Sequence, residues 1–215
     1  MQIVAGTPPG GGLDRVARAL AKAIAEGRLI NVPVEIVNIP GGGARRAWTH
    51  YIDNHQGDSH VIGISSPNLT TDYLVGAARF EHSKYTPIAT LVTEYIAFGV
   101  KSDSSLKTGA GLLGISGPER LSGAFAATPT WKEQSADCVI SAWRGVTGPA
   151  GITPPQVAYW EGVLRAVTQQ PVWREELLHL SWSPMYQDGA ALRTYLDDER
   201  AIFVAMLAEL GLLKV

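Results

Sequence analysis

Apolar and polar positions follow two alternating periods over the first hundred residues. Gln2 to Ala5 is a short apolar run of strand length. From Leu13 to Glu26 apolar residues recur at helical spacing, at Val16, Leu20 and Ile24, and Gly27 stops the pattern. The β-branched stretch VPVEIVNI (Val32 to Ile39) predicts a second strand, and Ala44 to about Asn54 a second helix. HVIGIS (His60 to Ser65) predicts a third strand and NLTTDYLVG (Asn68 to Gly76) a short helix. TPIATLVTEYIAFGV (Thr86 to Val100) reads as two strands parted at the polar Thr93 and Glu94. Strands separated by helices predict a parallel sheet covered on both faces.

The pattern changes after Val100. KSDSSLKTGAG (Lys101 to Gly111) is polar and loop-like, and LLGIS (Leu112 to Ser116) predicts a further strand. Gly117 to Gly151 holds few periodic runs and many Pro, Gly and Trp residues. From Pro154 three helical stretches follow, PPQVAYWEGVLRAVTQQ, VWREELLHL and DGAALRTYLDDERAIFVAMLAELGLL, the last with apolar residues every three or four positions. No repeat of fixed period and no low-complexity tract interrupts them.

Composition narrows the function classes. With 46% apolar and 18% charged residues over 215 positions, the chain can bury a core and is not of the disordered type. A formal charge of −2 gives no electrostatic case for nucleic acid or an anionic membrane, and no apolar run is long enough for membrane insertion. The single cysteine, Cys138, permits no internal disulfide and reads as a small buried residue. Met1 abuts the first strand, so the expectation is either a cytoplasmic protein or a mature form that lacks its signal peptide.

The most informative stretch is IVAGTPPGGGLDRVARALAKAI (Ile3 to Ile24), an apolar strand, two prolines, three glycines and an immediate helix. The first N–H groups of a helix lack internal partners and carry the positive end of its dipole, so a glycine turn there admits a carboxylate or phosphate to bare backbone. Gly10, Gly11 and Gly12 are the candidate donors, Thr7 can add a hydroxyl, and Asp14 is expected to support the helix start rather than touch an anion. The spacing fails the dinucleotide fingerprint, and no lysine follows as a P-loop requires. A tight connection that binds nothing remains the alternative. Ser66, Asn68, Thr70 and Thr71, after the third strand, form a second candidate cluster, with an ordinary capping group as its alternative. NIPGGGARR supplies another glycine turn.

The rest of the catalytic repertoire is thin. His50, His55 and His60 are spaced by five and do not stack on one helix face, no HExxH or GxSxG occurs, and DDE (Asp197 to Glu199) reads as the wet face of a helix. The residues predict no enzyme, no metal site and no cofactor.

Three segments, VAGTPPGGGLDRVARAL, VEIVNIPGGG and GISSPNLTT, resemble the first lobe of the tripartite tricarboxylate transporter receptors, bacterial extracytoplasmic solute-binding proteins. ISGPERLSGAFAATPTWKEQSADCVISAWRGVTGPAGITPPQVAYW is similar to the segment by which these receptors return to that lobe. The resemblance covers nearly the whole chain in the family's order. It implies a flavodoxin-like, three-layer α/β lobe of a type II periplasmic binding protein, with a mostly parallel sheet and helices on both faces. It also implies a small di- or tricarboxylate ligand, a membrane permease as partner and a periplasmic location for the parent protein. The implied ligand contacts are Thr7, Pro8, Gly10, Gly11 and Gly12, with Ser66, Asn68, Thr70 and Thr71. Gly41 to Gly43 match a family turn but are not carried over as contacts.

This chain departs from the family in two places. An aromatic or other apolar residue is usual where it has Gly6 or Thr7. Where the family inserts a second lobe, KSDSSLKTGAGLLGISGPERL passes from departure to return in a few residues. The expected organisation is therefore a single lobe, residues 1–107 and 112–215, joined by a turn at 108–111 and lacking the opposing half of the cleft. Such a lobe should bind weakly or not at all, and its former inter-lobe face should be apolar enough to favour a homodimer. Two alternatives stay open: a flavodoxin-like nucleotide- or phosphate-binding enzyme domain, and an engineered single lobe without ligand function.

Overall fold

The computed structural model describes residues 1–99, 103–105, 114–121 and 123–215. Its central sheet contains β1 (Gln2–Ala5), β2 (Glu35–Asn38), β3 (Val61–Ser65), β4 (Thr86–Tyr95), β7 (Ser141–Gly148) and β8 (Ser183–Asp188), in the order β2-β1-β3-β7-β4-β8. The first three are mutually parallel, while β7 runs against both β3 and β4, and β8 against β4. Four of the six strands thus point one way, with β7 and β8 reversed. Helices α1 (Gly12–Glu26), α4 (Pro154–Gln169) and α5 (Pro171–Leu180) pack together on one face, and α2 (Arg45–Asn54), α3 (Asn68–Leu74) and α6 (Gly189–Glu209) cover the other.

The predicted periodicities become packing. Val16, Leu20 and Ile24 of α1 are fully buried against Ile3 and Ile62, and Trp48 and Tyr51 bury the opposite face from α2. Each such side chain contributes roughly 1.5–3 kcal/mol by leaving water. Tyr51 also ends on a polar thread: its hydroxyl meets Thr147 Oγ1 at 2.5 Å, which meets Ser65 Oγ at 2.6 Å. Burial pushes the Tyr51 phenol far above its ordinary value.

β1 lies between β2 and β3. The chain therefore leaves its carboxyl end for one side through α1 and later returns on the other through α2. Crevices that receive ligands in open α/β sheets form at such a switch point, beyond the carboxyl ends of the strands.

Several expectations need correction. β4 is continuous through Thr93 and Glu94 and breaks only at Ile96, before β5 (Ala97–Phe98). β7 and β8 are absent from the sequence reading. In β7 the composition misleads, because Gly145 looks like a turn residue. A Cβ there would lie 2.7 Å from Ala89 O, so glycine is what lets β7 approach β4. β8 is a half-buried edge strand without alternation. In α6, Asp197 and Asp198 do face water, but Glu199 turns inward and accepts from Trp143 Nε1 at 2.9 Å. Cys138 is half-buried rather than buried.

β5 pairs antiparallel with β6 (Gly114–Ile115), and the pair carries Trp131, whose ring stacks edge-on against Phe98 at 5.3 Å. The predicted turn at 108–111 lies outside the described residues.

Candidate functional site

The glycine turn sits at the carboxyl end of β1, where the switch point puts it. Pro8, Gly10 and Gly12 are exposed, and Thr7 and Gly11 half-buried. Gly10 takes φ +83°, a left-handed conformation that glycine adopts without steric cost. Asp14 is fully buried beneath the turn. Its carboxylate accepts from Gly10 N at 2.7 Å, Asn38 Nδ2 at 2.9 Å and Arg18 Nε at 2.8 Å. Burial pushes this carboxyl up, but the Arg18, Gly10 and Asn38 hydrogen bonds together outweigh it and hold the group below its ordinary value. Asp14 therefore fixes the turn, as the sequence suggested.

The cradle is narrower than three glycines imply. Gly10 N is spent on Asp14, and Gly11 N donates to Pro8 O at 2.9 Å. Thr7 Oγ1 accepts from Asp14 N at 3.1 Å, which leaves its hydroxyl proton to donate. Among the described residues, the amides of Gly12 and Leu13 carry no hydrogen bond. They are the donors the turn presents.

The second cluster is less uniform. Ser66 and Thr70 are buried, Asn68 is exposed and Thr71 is half-buried, its hydroxyl 3.5 Å from Pro67 O. Thr70 Oγ1 has no partner among the described residues. The other glycine turn sits between the two clusters. A Cβ on Gly6 would lie 2.1 Å from Ala44 Cβ, and one on Gly43 would lie 3.2 Å from Asn68 Nδ2. The three turns therefore adjoin over the ends of β1, β2 and β3.

One group was invisible to sequence reasoning. Ser65 pairs with Gly145 across β3 and β7, so the next residue, Arg144, stands level with Ser66. Its guanidinium NH2 reaches to 3.9 Å from where a Gly12 Cβ would be, which places a cation between the two predicted clusters. The side chain is 15% exposed, and its partners are Glu94 Oε2 at 3.0 Å and Trp143 O at 3.2 Å, while its Nε is buried without a partner. Arg144 and Glu94 face each other across the register of β7 and β4, fifty residues apart in sequence. No linear motif links them.

A cavity of about 260 Å³ opens beside Gly12, lined also by Arg15, Glu94, Tyr95, Phe125 and Trp182. None of Ser66, Asn68, Thr70 or Thr71 lines it. The arrangement offers backbone donors, a cation and a carboxylate around a small volume, a set suited to holding a charged solute. No group of three or more His, Cys, Asp or Glu residues that could hold a metal occurs among the described residues.

No family model matches the sequence, and no curated protein matches it. Solved structures do. A TctC solute-binding protein from Polaromonas superimposes with a TM-score of 0.77 at 18% identity, over 97% of this chain and 98% of that one. The periplasmic binding protein BugD gives 0.84 at 15% identity, over 100% and 98% of the two chains. MatC from Rhodopseudomonas palustris, solved with bound malate, gives 0.84 at 15% identity over 95% and 97%. This chain has the fold of the TctC- and BugD-type solute-binding proteins.

Proposed function

We propose that this chain is the solute-binding lobe of a tripartite tricarboxylate transporter receptor, taking a small organic di- or tricarboxylate without catalysing a reaction on it. The observation that carries the reading is the pair of unpartnered amides at Gly12 and Leu13, with the Arg144 guanidinium beside them at the switch point of the sheet. The likeness to a malate-bound protein supports it. The parent protein works in the periplasm and delivers its ligand to a membrane permease.

The chain works as one lobe. β5 and β6 flank the stretch where the family inserts its second lobe, and they pair directly as neighbours, which supports this organisation. Without an opposing jaw the anion stays in contact with water, where charge-assisted contacts are screened. Affinity for malate or citrate is then about millimolar or weaker. NMR titration of the folded protein with malate tests this: the Gly12 and Leu13 amides should shift together and saturate in that range. No movement of either amide at about 50 mM malate, far above that millimolar range, would refute the reading.

A further inference from the structure

The cavity beside the glycine turn is charged at both ends. On one side are the Gly12 backbone and Arg15, which makes no ion pair among the described residues and gives its Nε to Gly10 O at 2.9 Å. On the other is Glu94, with one oxygen held by Arg144 and its side chain 28% exposed. Glu94 Oε1 has no hydrogen bond among the described residues. Tyr95, Phe125 and Trp182 wall the space between.

We propose that this cavity selects a small amino-carboxylate, with the ligand carboxylate against Arg15 and the Gly12 amide and its ammonium against Glu94 Oε1. The inference rests on the carboxylate-receptor reading above and refines the ligand of that same site. Arg144 is already neutralised by Glu94 and bound to Trp143 O, so it has little charge left for a second ligand carboxylate. A second carboxylate pointed at Glu94 would set acceptor against acceptor, and like charges across an interface discriminate strongly. An ammonium brings three donors to the same oxygen, and aromatic walls favour a cation. At about 260 Å³ the cavity is smaller than the roughly 300–1,000 Å³ typical of drug-sized ligands, which fits a single amino acid.

Glutamate and glutarate differ only by the ammonium group, so they make the test. Both are titrated into the full chain while the Gly12 amide is followed by NMR, and glutamate should bind at least about tenfold tighter. Glu94→Gln keeps an acceptor for Arg144 and removes the charge; it should abolish the preference by weakening glutamate alone. Arg15→Gln, on the exposed side, should weaken both ligands alike. Glutarate binding as tightly as glutamate to the unaltered chain overturns the inference and leaves the carboxylate reading standing. A Gly12 amide that responds to neither overturns both.

Discussion

Glu199 offers the sharpest test of the energetics. It projects from α6 toward Trp143, which is fully buried with Leu192 and Leu196. One carboxylate oxygen accepts from Trp143 Nε1 at 2.9 Å and, at 3.4 Å, from the Tyr195 hydroxyl; the other is buried with no partner among the described residues. Burial, outweighing those two hydrogen bonds, pushes the group from 4.5 up to about 7. The folded protein therefore holds a proton that the unfolded chain has released. Stability contributed by this group is full below pH 4.5, falls as pH rises through that interval, and is gone above about 7. The displacement corresponds to about 3 kcal/mol, an upper value because the side chain is not wholly shielded.

Glu199→Gln keeps the acceptor for Trp143 and removes the ionisation. Near pH 4 the two proteins should be almost equally stable. Near pH 8 the variant should be more stable by up to about 3 kcal/mol, a shift of roughly 1 M or more in the urea midpoint. Urea unfolding monitored by tryptophan fluorescence at several pH values measures the difference directly, and subtracting the curves cancels the other titrating groups. A difference that stays constant from pH 4 to 8, or that grows in favour of the unaltered protein, refutes the reasoning.

Other outcomes follow from the same packing. Gly6→Ala forces a methyl onto Ala44 and should cost about 1–3 kcal/mol in a denaturation series. Asp14→Ala strands the Gly10 amide and the Asn38 amide and should cost about 1–3 kcal/mol. That loss is full above the ordinary carboxylate range and fades as falling pH protonates Asp14 in the unaltered protein, which thermal melts across acid pH will show. Ile96, Phe98, Val139 and Ile140 stand exposed around the β5–β6 pair, so light scattering should detect a homodimer that Phe98→Ser with Ile140→Ser dissolves.

Legibility in the sequence followed the range of the interactions. The βα half could be read because α1 and β3 announce themselves through periods of 3.6 and 2, and because a strand–glycine–helix junction has few physical uses. Asp14 was assigned correctly because its partner Gly10 is four residues away. β7 was missed because its glycines serve a distant strand, and β8 because an edge strand need not alternate. Glu199 was misread because the partner that turns it inward, Trp143, lies 56 residues away. Arg144 and Glu94 could not be found from spacing at all.

The division of labour at the glycine turn explains why this local reading still reached the right place. Two of its amides are consumed internally, on Asp14 and Pro8, and that consumption is what makes the turn rigid. Asp14 is itself balanced by Arg18, so the buried anion beneath the turn does not repel a ligand anion above it. The turn then presents Gly12 and Leu13 in a fixed orientation with no entropy left to lose, which is how a site made of weak donors gains selectivity. A looser turn with all its amides free would bind anions less specifically, because each would have to be ordered at the moment of binding. The glycines are therefore as much a device for holding the loop still as for leaving its backbone bare, and specificity passes to the side chains around it, Arg15, Glu94 and Arg144.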